Sequence, residues 1–217
     1  DILHGRFCQF ADPMRQLPWI IVLVAAATSL GLWLGLRPPA APEQPAFAAF
    51  SAYPQARSLS PFALDGADGT PVDAQRLSGK HQLVFFGFTH CPDVCPTALA
   101  VMREIDRGLS AAKLDGRVGF LFVSVDPERD DLKTLGQYAG YFSPNILAAT
   151  ADHDRLGALT REMGVLYVKE QTDSPDYNVD HSAAVFLLDA QGRLIGRFSP
   201  PLDPAKMLAD LQRIAGS

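Results

Sequence analysis

Between Leu83 and Ala100 the chain reads Leu-Val-Phe-Phe-Gly-Phe-Thr-His-Cys-Pro-Asp-Val-Cys-Pro-Thr-Ala-Leu-Ala, and no other stretch restricts the fold as much. Leu83, Val84, Phe85, Phe86 and Phe88 run without polar alternation, the pattern of a strand covered on both faces. Pro96 then falls in the first turn of a helix that continues through Thr97–Arg107 at helical spacing. Two cysteines, Cys91 and Cys95, occupy the junction. Free N–H groups and the positive end of a helix dipole lie there, so the position favours thiolate over thiol.

The segments downstream alternate. Val118–Val125 reads as a second buried strand, Asp131–Phe142 as a helix, Ile146–Ala149 as a short strand, and Asp152–Met163 as a helix capped by Asp152 and stopped by Gly164. Val165–Val168 is again strand-like, and Gln171–Asp180 is a polar loop. Ala183–Leu188 and Arg193–Phe198 flank Asp189-Ala-Gln-Gly192 as a hairpin, and Asp203–Ile214 closes the chain as an amphipathic helix. Upstream, Phe62–Leu64 with two Asp-Gly turns suggests a small hairpin leading in. The order predicts an α/β domain, a mixed sheet flanked by helices on the thioredoxin-like plan, over residues 62–217.

Residues before this domain have another character. Leu17 to Leu36 carries no charged residue, is bracketed by Arg15 and Arg37, and holds Trp19 and Trp33 near its ends. Twenty residues at about 1.5 Å each span about 30 Å, which predicts a single transmembrane anchor over 17–36; a cleaved signal peptide is the alternative. Residues 1–16 are read as an N-terminal extension in which Met14 resembles a start, and residues 37–61, rich in Pro and Ala, as a tether. Two basic and two acidic residues precede residue 37, so the net charge of −5 falls on the part beyond the anchor. Nothing in that mildly acidic balance suggests a nucleic-acid partner. With Met14 as the start, the arginine placement favours a cytoplasmic N-terminal end and an outward-facing domain.

The chemistry lies in the cysteine spacing. Residues at i and i+4 of a helical turn have Cβ atoms roughly 5–6 Å apart, wider than the ~3.5–4.5 Å of an unstrained disulfide. Two thiolates on one metal ion tolerate the wider span, although reversible oxidation stays open if the turn distorts. Cys8 lies on the other side of the anchor and is read as an ordinary thiol. Of the five histidines, His4 precedes the anchor, His81 and His153 read as surface residues, and His90 neighbours Cys91 but points elsewhere in an extended chain. His181, in Val179-Asp-His-Ser182, enters the late hairpin, which in a thioredoxin-like layout lies beside the cysteine turn; an isolated loop histidine is also read as a surface residue. Soft sulfur ligands with one imidazole suit copper, with zinc as the competitor that prefers a fourth ligand.

Three separated motifs, Phe88-Thr-His-Cys-Pro-Asp-Val-Cys-Pro-Thr97, Val123-Ser-Val-Asp-Pro-Glu-Arg-Asp130 and Val179-Asp-His-Ser182, resemble the SCO/SenC family. The resemblance covers roughly 56–214 and includes the single N-terminal anchor. It implies a thioredoxin-like fold, one copper ion held by Cys91, Cys95 and His181, and delivery of that ion to the dinuclear copper site of cytochrome c oxidase subunit II. It also implies tethering to the bacterial cytoplasmic membrane with the domain in the periplasm, or to the mitochondrial inner membrane, and encounters with a copper donor or a thioredoxin-like reductant. Asp126 is read as a turn residue at the end of a strand, with a place near the metal site as the alternative, and Asp180 and Ser182 as groups that orient His181. The competing activity is thiol–disulfide exchange by Cys91 and Cys95, reducing the oxidase copper-site cysteines or sensing redox state. A thiol peroxidase and a purely structural disulfide are weaker readings.

Overall fold

Strand β4 (His81–Gly87) is central in the main sheet: every residue from Gln82 to Gly87 is buried. In the computed structural model, which describes residues 17–36, 47–170 and 177–216, it lies in an eight-stranded mixed sheet. The strands are β1 (Phe50–Arg57), β2 (Ala63–Gly66), β3 (Val72–Asp73), β4, β5 (Val118–Ser124), β6 (Ile146–Thr150), β9 (Val185–Leu188) and β10 (Leu194–Phe198), in the order β1-β10-β9-β4-β5-β6-β2-β3. A separate ribbon pairs β7 (Tyr167–Lys169) with β8 (Val179–His181). β4, β5 and β6 are parallel neighbours, and β9 pairs antiparallel with β4.

Parallel neighbours require crossovers, and the chain supplies helices for them. α3 (Val94–Ala111) joins β4 to β5, and α4 (Leu132–Phe142) joins β5 to β6. On α3, Cys95, Leu99, Met102, Ile105 and Leu109 are buried at spacings of three and four, the stripe a crossover helix lays on a sheet. α6 (Pro204–Ala215) packs beside α3 and buries Met207 and Leu211. α5 (His153–Met163) begins at Asp152, whose carboxylate accepts the Arg155 N–H, and stops at Gly164 in the left-handed conformation (φ 72°). A short α2 (Ala74–Leu77) follows β3.

The expected elements from Leu83 onward are present, with ends shifted by a residue or two. Two regions differ. The reading of 37–61 as a semi-rigid tether fails from Phe47 onward among the described residues, because Phe50–Arg57 forms a strand of the main sheet. Residues 37–46 lie outside the described residues, and β1 is an edge strand paired with β10, Phe50 opposite Phe198. Pro54 is tolerated because the ladder breaks between Ala52 and Arg57 and the strand has a free edge. Its start is fixed from far away: the buried Asp210 carboxylate accepts the N–H groups of Ala48, Ala49 and Phe50 at 3.0, 2.8 and 2.9 Å. Also, the loop read over 171–180 ends early, because Val179 and Asp180 belong to β8; residues 171–176 lie outside the described residues.

The first compact unit contains α1 (Leu17–Gly35), nineteen residues with no charge. Among the described residues no helix is long and apolar enough to cross a membrane. Residues 1–16, with His4 and Cys8, lie outside the described residues.

Candidate metal centre

The turn after β4 brings the sulfurs to one point. Thr89–Asp93 leads from the strand into α3, and the Cys91 N–H donates to the Phe88 carbonyl at 3.4 Å. Cys91 lies before the helix and is half-buried; Cys95 lies in its first turn and is fully buried. The free N–H of Cys95 reaches Cys91 Sγ at 3.5 Å, so the helix N-terminus does face a sulfur. Both cysteines are free thiols.

Cys95 fits because of a residue on the strand. A methyl group on Gly87 would lie 2.6 Å from Cys95 Sγ and 3.1 Å from Phe122 and from Phe85. The side-chain space of Gly87 is therefore occupied by the sulfur of Cys95.

His181, the last residue of β8, completes the group. Its Nε2 lies 3.3 Å from Cys95 Sγ, and one ligand atom from each of Cys91, Cys95 and His181 lies within 4.8 Å of the others. Phe85 and Phe88 present their rings edge-on to the imidazole at 5.8 and 6.0 Å between centroids. Nδ1 lies 3.2 Å from the Ser182 carbonyl, which accepts its proton and leaves Nε2 as the lone-pair nitrogen aimed at the sulfurs. Ser182 thus orients the ring through its backbone, while its hydroxyl pairs with the main chain of Leu166. A cleft of ≈ 180 Å³, lined by Cys91, Pro92, Asp93, Asn178, Asp180 and His181 among others, opens the group to solvent.

The electrostatics correct one expectation. Burial pushes the Cys95 thiol up, well above the usual cysteine range, and the Phe88 backbone N–H offsets only part of this. Helix-mouth placement therefore does not make Cys95 a thiolate in the metal-free protein; a bound cation would supply the missing compensation. Burial also lowers the pKa of His181 below the ordinary histidine range, opposed by its Ser182 contact and by Asp180. A pH dependence follows. The unfolded chain takes up a proton on this histidine near pH ~6.5 while the folded chain resists it, so folding stability falls with pH below that point. His81, half-buried at the start of β4 and not the surface residue expected, is lowered for the same reason and adds to the slope. Chemical denaturation of the metal-free protein between about pH 7.5 and 5 is expected to show this loss, and His181→Gln to flatten part of it. An unchanged slope in that variant would refute the assignment.

His90 and His153 stay outside the group. The His90 ring is exposed, 3.1 Å from Thr89 Oγ1 and 3.5 Å from Asp130, and His153 pairs with Glu128 at 2.9 Å. The acidic loop after β5 contributes more than expected. Asp126 is buried, not a plain turn residue: it accepts from Tyr177 Oη and from Arg129 Nε, each at 2.5 Å. Asp130, also buried, accepts from the N–H of Thr89 at 2.9 Å and from the hydroxyls of Thr89 and Ser124 at 2.5 and 2.6 Å. Neither Asp130 nor Tyr177 was singled out from the sequence. Their only signal was membership of, or nearness to, the second and third motifs.

Comparison with known proteins bears on this arrangement. A protein-family model described as SCO1/SenC matches residues 51–216. The SCO2-like protein of Rickettsia conorii is 32% identical over 196 residues, spanning 89% of this chain and 93% of its own length. The structure of Bradyrhizobium japonicum ScoI with copper bound is 36% identical with a TM-score of 0.65, covering 72% of this chain and 99% of that one. Yeast Sco1 with copper bound is 28% identical with a TM-score of 0.69, covering 74% of this chain and 90% of that one. A match over three quarters of the sequence, joined to a mixed thioredoxin-like sheet with two sulfurs and an imidazole converging beside its central strand, makes this chain a member of the SCO1/SenC family.

Proposed function

We propose that the protein is a membrane-tethered copper chaperone. Cys91, Cys95 and His181 hold one copper ion, which is passed by ligand exchange to the dinuclear copper site of cytochrome c oxidase subunit II. The carrying observation is the convergence of Nε2 and two Sγ atoms within 4.8 Å at the wall of an open cleft. Two sulfurs and one imidazole suit Cu(I), and the imidazole lets the site hold Cu(II) as well. Low coordination and an open side suit an ion that must leave. The uncharged run from Leu17 to Leu36 anchors the chain once in a bacterial cytoplasmic membrane, with the domain in the periplasm. A periplasmic copper donor loads the site, and a thioredoxin-like reductant keeps the thiols free.

The test is copper loading of the reduced full chain in detergent, read by metal analysis and X-ray absorption. One equivalent of copper with sulfur and imidazole scattering is expected. His181→Ala is expected to weaken binding by more than about 100-fold, beyond the usual cost of outer-shell changes. Full affinity in that variant would remove His181 from the site. Thiol–disulfide exchange is the second reading, supported by two free thiols close to one another, with Cys91 at the cleft wall. The protonated, buried Cys95 thiol weighs against it, since the thiolate is the attacking form.

A further inference from the structure

His181 does not sit on the main sheet. Among the described residues it ends a two-stranded ribbon, β7–β8, separate from that sheet, whereas the sulfurs belong to the turn after β4 and the first turn of α3. A single loop, residues 125–131 between β5 and α4, grips both parts. On the cysteine side, Asp130 accepts the N–H and hydroxyl of Thr89, two residues before Cys91. On the ribbon side, Asp126 accepts the Tyr177 hydroxyl, four residues before His181, while the Arg129 guanidinium lies 3.5 Å over the Tyr177 ring and 5.6 Å over that of Phe88. Ser124 and Arg129 brace the two carboxylates from within the loop and strand: Ser124 Oγ donates to Asp130, and Arg129 Nε to Asp126.

We propose that this loop sets the separation of the imidazole from the two sulfurs, and that the Tyr177–Asp126 contact is its releasable end, so that breaking it frees His181 from the ion while Cys91 and Cys95 keep hold. Tyr177 and Asp126 are thus positioning residues for cargo retention and release. The asymmetry supports this. Asp130 is sealed and holds its end through three hydrogen bonds, whereas Tyr177 is held by one hydrogen bond and by Arg129 and Lys169 over its ring, at 3.5 and 4.0 Å, on a ribbon whose strands span only three residues each. Lys169 of the ribbon also pairs with Glu128 of the loop at 3.6 Å, at its solvent-facing side; a partner competing for the ion displaces one part-buried hydrogen bond and these outer charge contacts before it meets a two-sulfur site. This inference rests on the ligand set given under the proposed function.

The decisive variant is Tyr177→Phe, which removes the hydroxyl and keeps the ring over which Arg129 lies. In the copper-loaded full chain we expect one equivalent of copper still bound, weaker imidazole scattering in X-ray absorption, and transfer of Cu(I) to bathocuproine disulfonate faster by about tenfold, the factor expected for losing one hydrogen bond to a charged group. Asp126→Asn should act in the same direction; if it fails to fold, Tyr177→Phe decides alone. A role in fold stability alone would lower the melting temperature without changing the imidazole scattering. Unchanged scattering and an unchanged transfer rate in Tyr177→Phe overturn the proposal. If His181→Ala acts and Tyr177→Phe does not, the ligand set stands and only the latch falls; if His181→Ala has no effect on either readout, both fall.

Discussion

Cys95→Ala is expected to abolish retention of copper while leaving the fold in place. Structural zinc sites bind with ~10–16 kcal/mol spread over about four ligands, so one ligand is worth roughly 3 kcal/mol, about two decades in affinity. For Cu(I), which depends on soft sulfur, the loss should be greater, because one thiolate and one imidazole remain. Folding should suffer far less. The sulfur is fully buried, and its removal leaves a small gap facing Gly87 and Phe122, a cost of about 1 kcal/mol. Cys95→Ser should be worse for stability, because a buried hydroxyl without a full set of partners costs ~1–3 kcal/mol. Competition with a Cu(I) chelator reads the first effect and denaturant titration the second. Copper retained by Cys95→Ala would mean that the ion sits elsewhere.

Gly87→Ala is the second large effect, and it reaches the site from the strand. The added methyl group would lie 2.6 Å from Cys95 Sγ, with Phe85 and Phe122 at 3.1 Å on the other sides. Both rings are fully buried, so neither can swing away, and overpacking of this kind costs about 1–3 kcal/mol. The sulfur must shift, and with it the 3.3 Å spacing to His181, so copper affinity should drop by at least tenfold, about 1.4 kcal/mol. A double-mutant cycle separates the causes. In a Cys95→Ala background the methyl group has lost its worst neighbour, and the folding penalty of Gly87→Ala should shrink by about 1 kcal/mol or more. Equal penalties in the two backgrounds would place the clash on the rings instead of the sulfur.

These two residues also show what could be read before the structure was known. The strand over Leu83–Phe88, the helix after it and the presence of a sulfur site are written in contiguous residues, where pattern and spacing carry the information. The convergence of Cys91, Cys95 and His181 was legible only through the three motifs taken together, since spacing alone leaves a loop histidine undecided. Local reading failed where distant residues decide. β1 exists because Phe50 meets Phe198 and because Asp210 collects three N–H groups at its start, neither visible in the Pro- and Ala-rich composition around it. The helix dipole beside Cys95 was readable, but the burial that outweighs it depends on the packing of the sulfur into the side-chain space of Gly87 on β4. The roles of Asp126 and Asp130 were hidden for the same reason, because side-chain hydrogen bonds leave no periodicity.

Cys95 and His181 stand 86 positions apart along the chain. During synthesis the sulfur pair is therefore made long before His181, and the nascent polypeptide passes through a stage in which both thiols exist without that imidazole. On the proposed ligand set, a three-donor site exists only once the whole domain has folded, so full affinity for copper is a property of the finished domain and not of its cysteine segment.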